Sequence, residues 1–125
     1  MKKEILGKYI LQTPLPEHAK QQAELQEIVF PTLSAEELIT EEKYKRHLEI
    51  FPEGQFIVLD GDRVIASCTA LRQNYHKGHH TFLEISDDLW LGTHDPKAEW
   101  IYGLDVSVHP DYQGKGIGRE IYNAR

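Results

Sequence analysis

VSVHPDYQGKGIGREIYNAR, running from Val106 to Arg125, is the stretch on which the reading of this chain turns. Leu104 to Val108 is apolar and β-branched, the composition of a strand. His109-Pro110-Asp111-Tyr112 then turns the chain, because Pro110 removes a ladder donor and fixes its own φ. Gln113-Gly114-Lys115-Gly116-Ile117-Gly118 follows, and Arg119 to Arg125 is compatible with a helix. Strand, glycine-rich turn and helix start, in that order, make a place to hold an anion. Free main-chain N–H groups point out of the turn, the helix dipole adds partial positive charge, and glycines admit a ligand close to the backbone.

The spacing narrows the choice of anion. The dinucleotide fingerprint G-x-G-x-x-G fails, because Arg119 stands where its third glycine belongs. The P-loop pattern fails as well, since no Gly-Lys-Ser/Thr closes the turn. What fits is Q-x-x-G-x-G, with Gln113, Gly116 and Gly118 in the defining places. This resembles the acetyl-CoA signature of the GNAT superfamily of N-acetyltransferases, R/Q-x-x-G-x-G/A. Val106-x-Val108-x-Pro110-x-Tyr112 resembles the strand and turn that lead into it.

Composition sets outer limits. A chain of 125 residues is one domain at most, long enough to bury about two-thirds of its unfolded surface. With 40% hydrophobic and 27% charged residues it is an ordinary globular composition. A formal net charge of −6 argues against a nucleic-acid partner and requires any anionic cofactor to be held by local geometry. The single cysteine, Cys68, excludes an internal disulfide and suits a reducing compartment. No apolar run approaches a membrane span, and the start MKKEILGKYILQ is too short and polar for a signal peptide. The expectation is a soluble, cytoplasmic protein with no membrane partner.

Going back to the start, Ile5 to Leu11 reads as one short strand, closed by Thr13-Pro14-Leu15-Pro16. A helix follows from Pro16 or Glu17 to Phe30, with Leu25, Ile28 and Val29 at helical spacing. Ser34-Ala35-Glu36-Glu37 reads as a capping box, and Tyr44, Leu48 and Phe51 at i, i+4 and i+7 place a helix from about Thr40 to Ile50. Gln55 to Leu59 and Arg63 to Leu71 read as strands joined by an Asp60-Gly61 hairpin. Asn74 to His80 is a polar loop, and Thr81 to Trp90 is irregular or short helix. The last strand runs from about Glu99 to Val108. It alternates Tyr102, Leu104, Val106 and Val108 on one face with Ile101, Gly103, Asp105 and Ser107 on the other.

The order β-α-α-β-β-β-α matches the first half of the GNAT fold. The resemblance therefore implies an α/β (α+β) protein with a mixed, mainly antiparallel central sheet flanked by helices, the acyl-CoA N-acyltransferase architecture. The family's sheet continues after the cofactor helix, so residues 1–125 are expected to be a partial domain ending inside that helix, inactive by itself. An open strand edge would also favour a homodimer. A narrower resemblance rests on Phe51-Pro52-Glu53-Gly54-Gln55, Glu84-Ile85 and Tyr122-Asn123-Ala124-Arg125. These resemble the acetyltransferase domain found N-terminal to a carbon–nitrogen hydrolase domain.

The resemblance also assigns a cofactor and its contacts. Acetyl-CoA would run along the strand end at Val106, Ser107 and Val108, with its pyrophosphate on Gln113, Gly114, Lys115, Gly116, Ile117 and Gly118 and with Arg119 alongside. Lys115 and Arg119 either add charge or simply solubilise the turn. The acceptor would be an amine of a small molecule or peptide, whose proton needs a general base. Asp105, Glu99 and Glu84 are the carboxylates on offer. Asp105 lies mid-strand among apolar neighbours, so it either faces a wet cleft as the base or pairs with a neighbour to fix the strand. Family members often place a glutamate on this strand; here Tyr102 occupies one of the inward positions. The tyrosine that commonly serves as general acid belongs to the family's second half. His76, His79 and His80 lack an obvious fourth ligand and read as a solvated loop, so no metal is expected. Trp90 and Trp100 read as core or rim packing, and the acidic run from Glu36 to Glu42 as an exposed helix face. A non-catalytic acyl-CoA-binding or regulatory domain of a larger protein is the alternative function.

Overall fold

The computed structural model describes residues 2–34, 38–72, 90–91, 94–98 and 101–124. The expected capping box, the 74–80 loop with its histidines, Glu84, Glu99 and Trp100 lie wholly or partly outside these residues. Five strands pair in chain order, all antiparallel: β1 (Lys2–Ile5), β2 (Tyr9–Gln12), β3 (Phe56–Asp60), β4 (Arg63–Arg72) and β5 (Ile101–Val108). The helices are α1 (Ala19–Val29), entered through a 3₁₀ turn at Pro16–His18, α2 (Glu41–Ile50) and α3 (Ile117–Ala124). Thr40 caps α2 by accepting from the Lys43 N–H at 3.4 Å.

The expected strand from Ile5 to Leu11 is instead a hairpin. Leu6 and Gly7 have φ of 52° and 75°, and Lys8 N–H donates to the Ile5 carbonyl, so the chain reverses and Ile5 faces Tyr9. The sequence hides this turn because a leucine holds one of its two left-handed positions, a conformation bulky residues rarely adopt. The Asp60-Gly61 hairpin forms as expected, with Gly61 at φ 63°.

One face of the sheet packs on α1 through Leu25, Ile57 and Val64, and α2 packs in turn on α1, where Tyr44 meets Ala19. The other packs on α3: Ile117 and Ile121 settle on a core that includes Tyr9, Leu11, Phe56, Val58 and Cys68. Covered on both sides, β4 is buried along most of its length, which is why it reads as a continuous apolar run.

The expected alternation along β5 holds for only half of it. Thr69 pairs with Asp105, but its neighbour Ala70 pairs with Gly103, leaving Leu104 as the extra residue of a bulge. The bulge shifts the phase: Asp105 and Ser107 share the α1 face, while Gly103 stands opposite Ala70 on the other face. Among the described residues, β5 pairs only with β4.

Candidate functional site

β5 delivers the chain into a tight exposed turn. His109 N–H donates to the Ile65 carbonyl, and the His109 ring accepts from the Asp111 N–H at Nδ1. The Tyr112 hydroxyl then donates to Asp60 Oδ2 at 2.6 Å, tying the turn to the β3–β4 hairpin. That bond is the main reason the Tyr112 phenol is pushed above its usual range. The Gln113 side-chain amide folds back onto the Val108 carbonyl at 3.0 Å. It thus closes the turn through the strand it follows.

Gly114 and Gly116 have φ of 79° and 87°, which residues with a Cβ rarely adopt. Between them they swing the main chain so that α3 starts directly. The first bond of α3 runs from Glu120 N–H to the Gly116 carbonyl. The N–H groups of Ile117, Gly118 and Arg119 are the open donors of a first helical turn. A Cβ added at Gly118 would meet nothing within 4 Å; one at Gly116 would come to 3.8 Å from a Leu6 methyl. The open space over Gly118 and the unused donors together make an anion cradle. Lys115 and Arg119 are exposed beside it.

Three residues before the end of β5, Asp105 is set into a polar seam between the sheet and the helices. Its Oδ2 accepts from Gln26 Nε2 at 2.9 Å and from Ser107 Oγ at 2.8 Å. Gln26 Nε2 also reaches Ser107 Oγ at 3.0 Å, and Gln22 Nε2 donates to Ser67 Oγ at 2.9 Å. Burial drives the Asp105 carboxyl up to about 6, with the Ser107 and Gln26 bonds pulling the other way. Tyr44 of α2 is buried in the same seam; burial first, and then the charge of Asp105, keep its phenol protonated well above the usual range.

The residues expected in the site are therefore divided by the structure. The 113–119 turn and the end of β5 are one continuous surface, with Val106 41% exposed. Ser107 turns its hydroxyl into the seam, and Val108 packs towards α3. Gln26 and Gln22 are not among the residues the sequence singles out, and Tyr44 enters only through the apolar spacing of α2. A signal for the first two was present: glutamines at i and i+4 on the inward stripe of α1, beside Ala19 and Leu25. Trp90 is 40% exposed, with the Lys43 ammonium 5.6 Å from its ring centroid, a rim position. Among the described residues no group of three His, Cys, Asp or Glu side chains is placed to hold a metal ion, and no helix is long and apolar enough to cross a membrane.

Comparison with known proteins gives the family and the fold. A profile of the acetyltransferase (GNAT) family matches residues 22–124. The chain is 34% identical over 102 residues to the uncharacterized N-acetyltransferase YkwB of Bacillus subtilis (strain 168), covering 79% of this chain and 45% of that protein. It is 41% identical over 81 residues to the probable hydrolase YhcX of the same organism, covering 63% of this chain and 16% of that one. The chain thus spans less than half the length of either relative. The fold is shared with the loading GNATL domain of CurA from Lyngbya majuscula, at a TM-score of 0.76 and 20% identity over 92% of this chain and 55% of that one. It is also shared with the GphF GNAT-like decarboxylase solved with isobutyryl-CoA, at 0.69 and 16% over 90% and 55%. The chain belongs to the GNAT acetyltransferase family.

Proposed function

We propose that this member of the family carries the acetyl-CoA-binding half of an N-acetyltransferase, which passes the acetyl group to a primary amine of a small molecule or peptide. The observation that carries the reading is that a single strand, β5, ends in a cradle of unused main-chain donors and holds, at its bulge, a carboxyl group raised to about 6. Acetyl-CoA would lie along the outer edge of β5, with its pyrophosphate on the N–H groups from Gly114 to Arg119 and its thioester towards the bulge. That fold neighbours handle CoA thioesters, as the isobutyryl-CoA complex of GphF does, supports the ligand class.

The chemistry follows from these positions. An amine is protonated at neutral pH and must lose a proton before its lone pair can attack the thioester carbonyl carbon. A carboxylate with a midpoint near 6 is ionised at pH 7, yet basic enough to accept that proton better than an ordinary aspartate. As the C–N bond forms, the C–S bond breaks and CoA leaves as a thiolate that takes up a proton. Asp105 is the base in this scheme, acting directly or through a water.

A second reading has its own support. The 41% identity to a short part of the probable hydrolase YhcX fits a domain that binds acyl-CoA in the service of a longer protein without transferring it. One experiment separates the two. In the full-length protein, release of free CoA thiol from acetyl-CoA that depends on an added amine supports the transferase. Calorimetric binding of acetyl-CoA without thiol release across an amine panel supports the binding module.

A further inference from the structure

We propose that Gln26 is a positioning residue for Asp105: its side-chain amide, oriented by the Ile39 N–H, occupies Asp105 Oδ2 and leaves Oδ1 as the oxygen that takes and releases the proton. The inference rests on the reading of Asp105 as a base.

The bond directions are forced. A main-chain N–H can only donate, so the Ile39 N–H, 3.2 Å from Gln26 Oε1, requires the carbonyl end of the amide on its side. The NH₂ end then faces β5, where its two hydrogens meet two acceptors, Asp105 Oδ2 and Ser107 Oγ. Ser107 Oγ, accepting from Gln26, has one hydrogen left, and it goes to Asp105 Oδ2 at 2.8 Å. Oδ2 therefore receives two donors, neither of which can reverse while the Ile39 contact stands. Oδ1 has no hydrogen-bond partner among the described residues. A proton placed on Oδ2 would have to displace one of two donors; a proton on Oδ1 displaces none contributed by the described residues.

Gln26 is 2% exposed and Ile39 is 3% exposed, so water does not compete for these bonds. The groups facing Asp105 are uncharged on each packed element: Gln26 on α1, Tyr44 on α2, Thr69 across on β4 and Ser107 on β5 itself. His47 is a further titratable group of this layer, its ring edge-on to Tyr44 at 5.6 Å, while the Cys68 thiol lies on the α3 face of β4 and acts on Tyr44 only through the sheet. With no cation among the described residues supplying the attraction, the donors themselves are what favour the carboxylate form against burial.

The test is a titration of Asp105 in the full-length protein, with ¹³C-labelled aspartate and ¹⁵N-labelled glutamine followed by NMR. In the unmutated protein, the Gln26 side-chain nitrogen should titrate with the same midpoint as the Asp105 carboxyl carbon. A Gln26 signal that is flat through that midpoint overturns the proposal and needs no variant to fold. Gln26→Met and Gln26→Glu should both raise the Asp105 midpoint by about one unit or more, since a lost charge-assisted bond is worth about tenfold in proton affinity. An unchanged midpoint in either folded variant also overturns it. If the base reading is right, the pH profile of amine-dependent thiol release moves upward with the midpoint. A midpoint that moves while that profile stays put overturns the base reading and leaves Gln26 as the residue that orients Asp105.

Discussion

At the end of β5 the chain offers main-chain N–H groups from an exposed turn, residues 113–116 all facing solvent. Three residues earlier the same strand sets a carboxyl group among side chains contributed by α1, α2 and β4. The turn presents backbone: its side chains, His109, Tyr112 and Gln113, brace it from behind, and at two left-handed glycines it needs the absence of a side chain. The seam is made of side chains and needs each hydrogen bond in one direction. A backbone site tolerates changes of charge and is broken by bulk, whereas a side-chain site tolerates bulk-conserving changes and is broken by the loss of one donor or one proton. The contrast can be broken by experiment.

The largest effect is expected at the seam. Asp105→Asn keeps the shape and an acceptor for the Gln26 and Ser107 donors but cannot take a proton. Turnover should fall by about a hundredfold or more, the usual contribution of a positioned general base, with acetyl-CoA affinity nearly unchanged. Amine-dependent thiol release and calorimetry measure the two. Unchanged turnover would return Asp105 to a structural role.

In the turn, Gly118→Val should weaken acetyl-CoA by about a hundredfold, because bulk over the cradle displaces at least two charge-assisted bonds of about 1.5 kcal/mol or more each. The fold should not notice, since a Cβ there meets nothing within 4 Å. Gly116→Val should differ by also lowering thermal stability, as a β-branched residue at φ 87° is strained. Equal stability losses in both variants would contradict the assignment of backbone strain to Gly116 and of an unstrained, open position to Gly118.

A pH effect on stability comes next. Asp105 binds its proton more tightly folded, near 6, than at its ordinary 3.8. Its contribution to stability is therefore fully present below about pH 4 and is lost as pH rises through about 6, a change of at most about 3 kcal/mol. Asp105→Asn should remove this slope and leave β5 more stable than the parent at neutral pH. Native-state hydrogen exchange of β5 amides at about pH 4 and pH 7 reads the difference. An identical slope in the variant would show that burial does not strain this carboxylate.

The smallest effect belongs to Lys115→Ala, which removes one exposed, solvated charge and should cost about tenfold or less in acetyl-CoA affinity. If calorimetry ranks this change above Gly118→Val, the cofactor is held by side-chain charge and the backbone account of the turn fails.

The sequence by itself determined the parts whose physics is local. Glycines that accept left-handed φ, a proline that ends a ladder and the 3.6-residue spacing of Ile117 and Ile121 act within a few residues, so 106–124 was legible in detail, as were the Asp60-Gly61 hairpin and the helix capped by Thr40. Only the tertiary structure decided the rest. The turn at Leu6-Gly7 is held by pairing between β1 and β2, and the bulge at Leu104 by the register of β4, neither of which leaves a local mark. The seam joins Gln26 to Asp105 across 79 positions of sequence. Its members are ordinary polar residues on four elements, and they become one network only when burial excludes the water that would otherwise satisfy each of them alone.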